Sequence, residues 1–120
     1  ERIMIVEVMG RNVGWIAVEA AIAGGADLAL IPEFAFTLDE VCAKLTTRHE
    51  THGRNYSILV IAEGATDTQG LLDPHSGTQD KLGRPKLGGV GANLAREIET
   101  RLGYDARCTT LGYLQRSASP

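Results

Sequence analysis

The chain has 120 residues, of which 43% are hydrophobic and 22% charged, and these values predict one globular domain with its own core. The formal net charge is −3 and no run of five like charges occurs, so a basic surface for nucleic acid is not supported. The longest mostly apolar stretch, 15–31, contains two acidic residues and a glycine pair, so it is excluded as a membrane span.

The cysteines and histidines show no pattern of a disulfide framework or a metal site. Cys42 and Cys108 are far apart and form no Cys-x-x-Cys pair. Because we also expect no signal peptide, these thiols predict a reduced, cytoplasmic protein. His49, His52 and His75 do not combine with the cysteines at metal-ligand spacing, and we expect no metal ligands in the chain itself.

The first half of the chain alternates apolar runs with helical patterns. The run 3–8, IMIVEV, is typical of a buried parallel strand. The segment 15–23 predicts a helix that ends at the glycine pair 24–25. Since this helix is apolar almost all round, we expect it to be packed between two layers. A second strand is predicted over 28–31, closed by a proline.

A helix over about 38–51 has a clear start signal. Thr37 can cap the first turn while Glu40 reaches back, which is the capping-box pattern. Phe36 and Val41 can form a hydrophobic staple across the same boundary.

The second half of the chain contains one segment without a clear pattern. The glycine-rich stretch 64–89 is too long for an ordinary connector, which predicts a lid or binding loop. The remaining predicted elements are a strand over 57–62, a helix over 90–102 and a strand over 105–111.

This order of elements predicts an α/β fold with three layers, α/β/α, around a mostly parallel sheet of about four strands. We expect 1–120 to be a single domain of a longer polypeptide, because the chain starts without a methionine directly in a strand. The longer chain would contain the residues that this domain lacks.

Polar and charged residues follow the predicted strands at their carboxyl ends, where ligands of parallel sheets collect. Met9, Gly10 and Arg11 follow the first strand, Glu63 the third and the segment 112–116 the fourth. An arginine fork matches phosphate oxygens, and a glycine lets backbone N–H groups approach an anion. A glutamate instead accepts hydrogen bonds from sugar hydroxyls. The combination predicts a sugar-phosphate site.

Simpler interpretations of these residues remain open. Glu63 could only cap the following loop, and Met9 could be a core side chain. Arg11 could be a solvated cation at a helix start. Arg2 and Arg107 lie at or near the other ends of their strands, where a monomer would use them as surface charge.

Four motifs together resemble the 6-phosphofructokinase family. They are VEVMGRNVGWIA, AGGADLALIPE, ILVIAEGA and TTLGYLQRSASP, in the order and at the spacing of that family. The resemblance covers the chain apart from 66–81 and is to the second domain of the enzyme, which binds fructose 6-phosphate. The chain would therefore be the substrate-binding half of a longer enzyme.

The resemblance implies roles for individual residues at the carboxyl ends of the strands. Met9 and Gly10 would face the sugar, and Arg11, as the catalytic residue, would lie by the transferred phosphoryl group. Glu63 would bind the sugar hydroxyls and Arg116 would grip the sugar phosphate.

The resemblance also implies contacts between subunits and shows two departures from the family pattern. Arg2 and Arg107 match arginines that reach across a subunit interface to the neighbour's sugar phosphate, so a homo-oligomer is expected. Tyr113 stands where the family most often has histidine, and it can donate a hydrogen bond but adds no positive charge. Residues 117 and 118 replace two glycines, which limits backbone freedom.

The implied activity is the glycolytic transfer of a phosphoryl group from ATP or pyrophosphate to fructose 6-phosphate, with Mg²⁺ as cofactor and allosteric control. The family places the Mg²⁺ site and the catalytic base mainly outside this domain, so the chain alone is expected to be inactive. The alternative is a non-catalytic sugar-phosphate-binding or regulatory module, in which the departures mark lost chemistry.

Overall fold

A computed structural model describes residues 2–53, 55–72 and 89–111, without the side chain of His52. Every predicted helix and strand is present, with bounds within one residue of the prediction. None of the helices in this part of the chain is long and apolar enough to cross a membrane. The elements are β1 Arg2–Val8, α1 Trp15–Gly24, β2 Leu28–Leu30, α2 Leu38–His52, β3 Tyr56–Ala62, α3 Val90–Leu102 and β4 Asp105–Thr110.

The four strands form one parallel sheet in the order β2-β3-β1-β4. Strand β1 pairs along its whole length with β3, from Arg2 opposite Tyr56 to Val8 opposite Ala62. On its other side β1 pairs with β4, starting with Arg2 opposite Asp105. Strands β1 and β2 are therefore consecutive in sequence but separated in the sheet by β3.

Helices cover both faces of the sheet, which confirms the three-layer α/β/α prediction. On one face, Leu45 of α2 and Leu94 and Ile98 of α3 pack with Ile5 and Leu59 in the larger buried cluster. On the other face, α1 packs against the ends of β1 and β3 in a smaller cluster. The buried members of that cluster are Val8, Ala17, Ala21, Val60 and Ala62.

Helix α1 is covered on one side only within the described ranges. It contacts the sheet through the small side chains of Ala17 and Ala21. On its outer surface Trp15 is 70% exposed and Ile22 78% exposed. The second covering layer that its all-round apolar character predicts is thus not found among residues 2–53, 55–72 and 89–111.

The predicted start of α2 is confirmed at its capping residue. The backbone N–H of Glu40 donates to Oγ1 of Thr37 at 3.0 Å, and Thr37 has the extended conformation of a capping residue. Phe36 and Val41, on either side of the cap, both belong to the larger buried cluster.

Candidate functional site

The loop 9–14 connects β1 to α1 and runs along the carboxyl edge of the sheet, the edge where the parallel strands end. Glu63, directly after β3, donates its backbone N–H to the carbonyl of Val8 at 2.8 Å. The next N–H, of Gly64, donates to the carbonyl of Gly10 at 2.9 Å. Pairing between β1 and β3 is thus extended past both strands, and it brings the two predicted motifs together.

Glycine is required on both sides of this junction. Gly10 has φ +146°, and a Cβ on it would lie 2.8 Å from the carbonyl oxygen of Val13. A Cβ on Gly64 would lie only 1.9 Å from the carbonyl oxygen of Arg11. The backbone of the loop can approach the end of β3 this closely only because Gly64 has no side chain.

The structure describes four predicted site residues at this junction. Arg11 is exposed, whereas Met9 and Gly10 are half-buried. The residue Glu63 is 8% exposed, although it carries a carboxyl group. Arg11 and Glu63 therefore lie in adjacent turns at one edge of the sheet, and their roles towards a ligand stay a prediction.

Arg2 and Arg107 lie towards the opposite edge of the sheet. Arg2 begins β1, and Arg107 is opposite Met4 in the register. Strand rise places Arg2 roughly 20 Å from Met9 along the chain.

Both arginines are exposed, and Nε of Arg107 is 3.7 Å from Oδ1 of Asp105. They line one depression of about 340 Å³ together with Ile3, Met4 and Asp105. Neither arginine lies in the turns at the carboxyl edge where Arg11 and Glu63 lie.

The remaining predicted site residues, Tyr113 and Arg116, lie outside the described residues, as do the departures at 117 and 118. The described end of the chain stops beside the candidate site, because the N–H of Leu111 donates to the carbonyl of Glu7 at 2.8 Å. Most of the segment 64–89 also lies outside the described ranges.

Glu7 is a buried acidic residue that the sequence reasoning did not single out. It is 1% exposed, and its carboxylate accepts hydrogen bonds from the N–H of Gly91 at 2.8 Å and of Gly89 at 3.2 Å. These N–H groups belong to the start of α3, where a negative charge is favourable. The available signal was a single carboxylate inside the otherwise apolar strand IMIVEV.

Glu33 is a second acidic residue that was missed. Both of its carboxylate oxygens accept from the N–H of Gly14, at 3.0 and 3.1 Å. Gly14 is the N-cap residue of α1, at the end of loop 9–14. The sequence signal was an acidic residue directly after the proline that closes β2, at the same edge as the other candidate residues.

The described residues do not provide a Mg²⁺ site of their own. Across 2–53, 55–72 and 89–111, no three aspartate, glutamate, histidine or cysteine side chains converge in a group that could hold a metal ion. Mg²⁺ prefers several oxygen ligands, and in phosphoryl-transfer sites phosphates of the substrate provide part of them.

A family model described as phosphofructokinase matches residues 1–120, the whole length of the chain. The chain belongs to the phosphofructokinase family. This membership confirms the resemblance that the four motifs carry.

Individual members of the phosphofructokinase family are also similar to this chain in sequence and in structure. The chain is 44% identical over 119 residues to the ATP-dependent 6-phosphofructokinase of Corynebacterium efficiens, a match that covers 99% of this chain and 34% of that protein. It is 43% identical to the pyrophosphate–fructose 6-phosphate 1-phosphotransferase of Streptomyces coelicolor, with 99% and 34% covered. The solved phosphofructokinase of Pichia pastoris matches with a TM-score of 0.70 and 31% identity, over 99% of this chain and 11% of that chain.

The coverage shows how much of a phosphofructokinase is present. The chain spans about a third of the length of the curated relatives it matches. These two relatives are named for different phosphoryl donors, ATP and pyrophosphate, yet their sequence identities to this chain differ by one percentage point. Overall identity in this region therefore does not distinguish the two donors.

Substitution of Gly64 tests the close approach of loop 9–14 to β3. We expect Gly64→Ala to lower the free energy of unfolding by about 1–3 kcal/mol, because the new Cβ forces the backbone of Arg11 to move. Gly24→Ala is the matched control: a Cβ there meets nothing within 4 Å, and alanine favours the helix by up to about 1 kcal/mol. Urea unfolding of both variants measures the difference, and equal stability of the two would contradict the packing described here.

The pKa of the Cys108 thiol depends on the charge of Glu7. Burial, and next the negative charge of Glu7, raise the pKa of the Cys108 thiol. Glu7→Gln removes that charge, so the pKa should fall, and the reactive thiolate should form at lower pH. We expect the pH profile of Cys108 alkylation, followed by peptide mass spectrometry, to shift to lower pH in this variant.

Cys42 is the internal control for this experiment. Burial raises the pKa of its thiol as well, but the neighbouring charges belong to Arg101, Asp39 and Glu97 rather than to Glu7. Its alkylation profile should therefore stay unchanged. An equal shift at both cysteines would indicate general loosening of the fold and would rule out a specific effect of Glu7.

Proposed function

We propose that this chain forms the sugar-phosphate side of the active site of a 6-phosphofructokinase, which converts fructose 6-phosphate to fructose 1,6-bisphosphate with ATP or pyrophosphate. The observation that carries the proposal is the direct seating of loop 9–14 on the turn 63–64, in a chain whose whole length matches the family. This junction presents Arg11 and Glu63 from adjacent backbone segments.

The chemistry of the two side chains suits the two parts of the substrate. Ionised Glu63 accepts hydrogen bonds only, so it binds hydroxyl groups of the sugar and would repel a phosphate. Arg11 presents N–H donors in a planar fork, which fits the oxygens of a phosphoryl group. Met9 and Gly10 contact the sugar, and Arg116 and Tyr113 hold its 6-phosphate.

In the reaction, the 1-hydroxyl oxygen of the sugar attacks the terminal phosphorus of the donor, and the bond from that phosphorus to the bridging oxygen breaks. Negative charge spreads over the transferred oxygens, and Arg11 stabilises it. Mg²⁺ bound with the donor would neutralise phosphate charge. The base that takes the hydroxyl proton belongs to a part of the enzyme outside this chain.

Arg2 and Arg107 complete the site of a neighbouring subunit. Arg2 lies roughly 20 Å from Met9 along β1, and Arg107 is level with Met4 rather than with the carboxyl edge, which supports a role outside the site of their own chain. Two exposed arginines on adjacent strands offer a pair of forks for one phosphate. The proposal therefore includes a homo-oligomer. In line with the resemblance to the family, it also includes a glycolytic role in the cytoplasm with allosteric control.

The deciding experiment is product formation by the full-length protein. With fructose 6-phosphate and Mg²⁺, we expect fructose 1,6-bisphosphate to form with either ATP or pyrophosphate, and the two donors are assayed in parallel. The donor that supports turnover identifies the enzyme type. Absence of product with both donors, in protein shown to be folded by circular dichroism, would refute the kinase assignment and favour a sugar-phosphate-binding module.

The role of Arg11 is tested by steady-state kinetics. We expect Arg11→Ala to lower kcat by about a hundredfold, with a smaller change in the KM for fructose 6-phosphate, because the lost interaction is strongest in the transition state. Arg11→Lys keeps the charge without the fork and should be intermediate.

The matched control for Arg11 is Lys44→Ala, which removes an exposed cation from α2 on the other face of the sheet from α1. It should leave kcat unchanged. If Arg11→Ala raised KM alone, Arg11 would bind the ground state and would have no special part in phosphoryl transfer.

A further inference from the structure

Loop 9–14 is fastened at the ends of three strands in turn. It leaves β1 at Val8, and Gly10 then accepts the N–H of Gly64 at the end of β3. Its last residue, Gly14, lies against Ile31, directly after β2, because a Cβ there would come within 2.3 Å of Cγ2 of Ile31. Since β3 separates β1 from β2 in the sheet, the loop has to cross the carboxyl edge to reach the start of α1.

Glu33 provides the polar attachment at the far end of this crossing. Its two carboxylate oxygens lie 3.0 and 3.1 Å from the N–H of Gly14. A charged acceptor on a backbone N–H makes a stronger hydrogen bond than a neutral one. Its place at the N-terminus of α1 is also favourable for a negative charge. No other polar side chain is recorded on this N–H in the described part of the chain.

We propose that Glu33 is a positioning residue for the proposed phosphoryl transfer, which holds loop 9–14 so that Arg11 stays at the reacting phosphate. Arg11 lies between the two attachments, with Gly10 fastened to β3 on one side and Gly14 fastened to Glu33 on the other. Without the Glu33 hydrogen bonds, the Gly14 end of the loop is held only by its packing against Ile31 and by the first turn of α1. The guanidinium then samples a wider range of positions, and a misplacement of about 1 Å can cost a hundredfold in rate.

The same contact has a consequence for substrate binding. The first N–H of a helix is an ordinary binding point for phosphate, and in this chain Glu33 already occupies that of Gly14. The carboxylate would also repel an anion there. The N–H of Gly14 is therefore not open to a phosphate, which increases the importance of the position of Arg11.

Glu33 can be changed without loss of the fold. The residue is exposed and borders an open groove of about 260 Å³ together with Gly14, Trp15, Val18 and Ile31. In Glu33→Ala, water in this groove can accept the N–H of Gly14, so no buried donor is left unsatisfied. The variant should lose the fixed geometry of the loop and keep its core.

The test combines kinetics with hydrogen exchange on the full-length protein. We expect Glu33→Ala to lower kcat about tenfold and to change the KM for fructose 6-phosphate less than about threefold. Glu33→Gln retains one oxygen acceptor and should recover most of the rate. Glu50→Ala removes an exposed acidic residue from α2 and is the matched control for charge, with unchanged kinetics.

Hydrogen exchange reports on the loop without any need for activity. In Glu33→Ala, exchange measured by mass spectrometry should become faster in peptides that contain Gly14, while peptides from β1 and β3 should keep their protection. Unchanged exchange at Gly14, or faster exchange throughout the core, would overturn the positioning role. So would localised loosening in an active enzyme whose kcat does not change.

This inference depends on the proposed function for its kinetic part only. If the wild type forms no product with ATP or pyrophosphate, the proposed function fails, and the exchange data alone decide whether Glu33 fixes the loop. If the wild type is active and Glu33→Ala is indistinguishable from Glu50→Ala in both measurements, the positioning role fails and the proposed function stands.

Discussion

The parallel pairing of β1 with β3 is the interaction on which the candidate site depends. The pairing aligns seven residues of each strand and ends with Val8 opposite Ala62, so both strands stop at the same level. Two more backbone bonds, from Glu63 and Gly64, continue beyond this point. A shift of the register by one residue would turn every side chain of β1 to the other face of the sheet. It would also separate the two motifs that form the junction.

Acidic side chains bind backbone N–H groups at several places around the sheet. Glu7 binds the start of α3 and Glu33 binds the start of α1. Asp67 accepts from the N–H groups of Leu71 and Leu72 in the turn that follows β3, and it is buried. Asp27 accepts from the N–H of Ile58 at the side of β2. Helix starts, turns and the part of β3 that extends past the short strand β2 have backbone donors without a partner in regular secondary structure, and these carboxylates satisfy them.

This use of carboxylates separates two kinds of acidic residue at the carboxyl edge. Glu7 and Glu33 accept hydrogen bonds from the chain's own backbone and thereby hold helix starts in place. In the proposed function Glu63 instead faces the sugar. In the proposed function, acidic residues at one edge of the sheet thus have different roles. The apolar residues on the outer surface of α1 are a separate case, because the sheet does not cover them.

Local sequence patterns determined the helices and strands, the parallel three-layer fold and the residues at the ends of the strands. Apolar runs, glycine stops and the Thr37 cap act over a few residues, so they can be recognised without knowledge of the partner segments. Only the tertiary structure decided that β3 lies between β1 and β2. It also decided that position 64 needs a residue without a side chain, because the backbone of Arg11 lies against it. The binding of distant N–H groups by Glu7 and Glu33 was decided in the same way. Glu7 and Gly91 are 84 residues apart, and Glu33 and Gly14 are 19 apart. Contacts of this kind depend on how the strands are ordered in the sheet, and no local pattern of charge or hydrophobicity encodes that order.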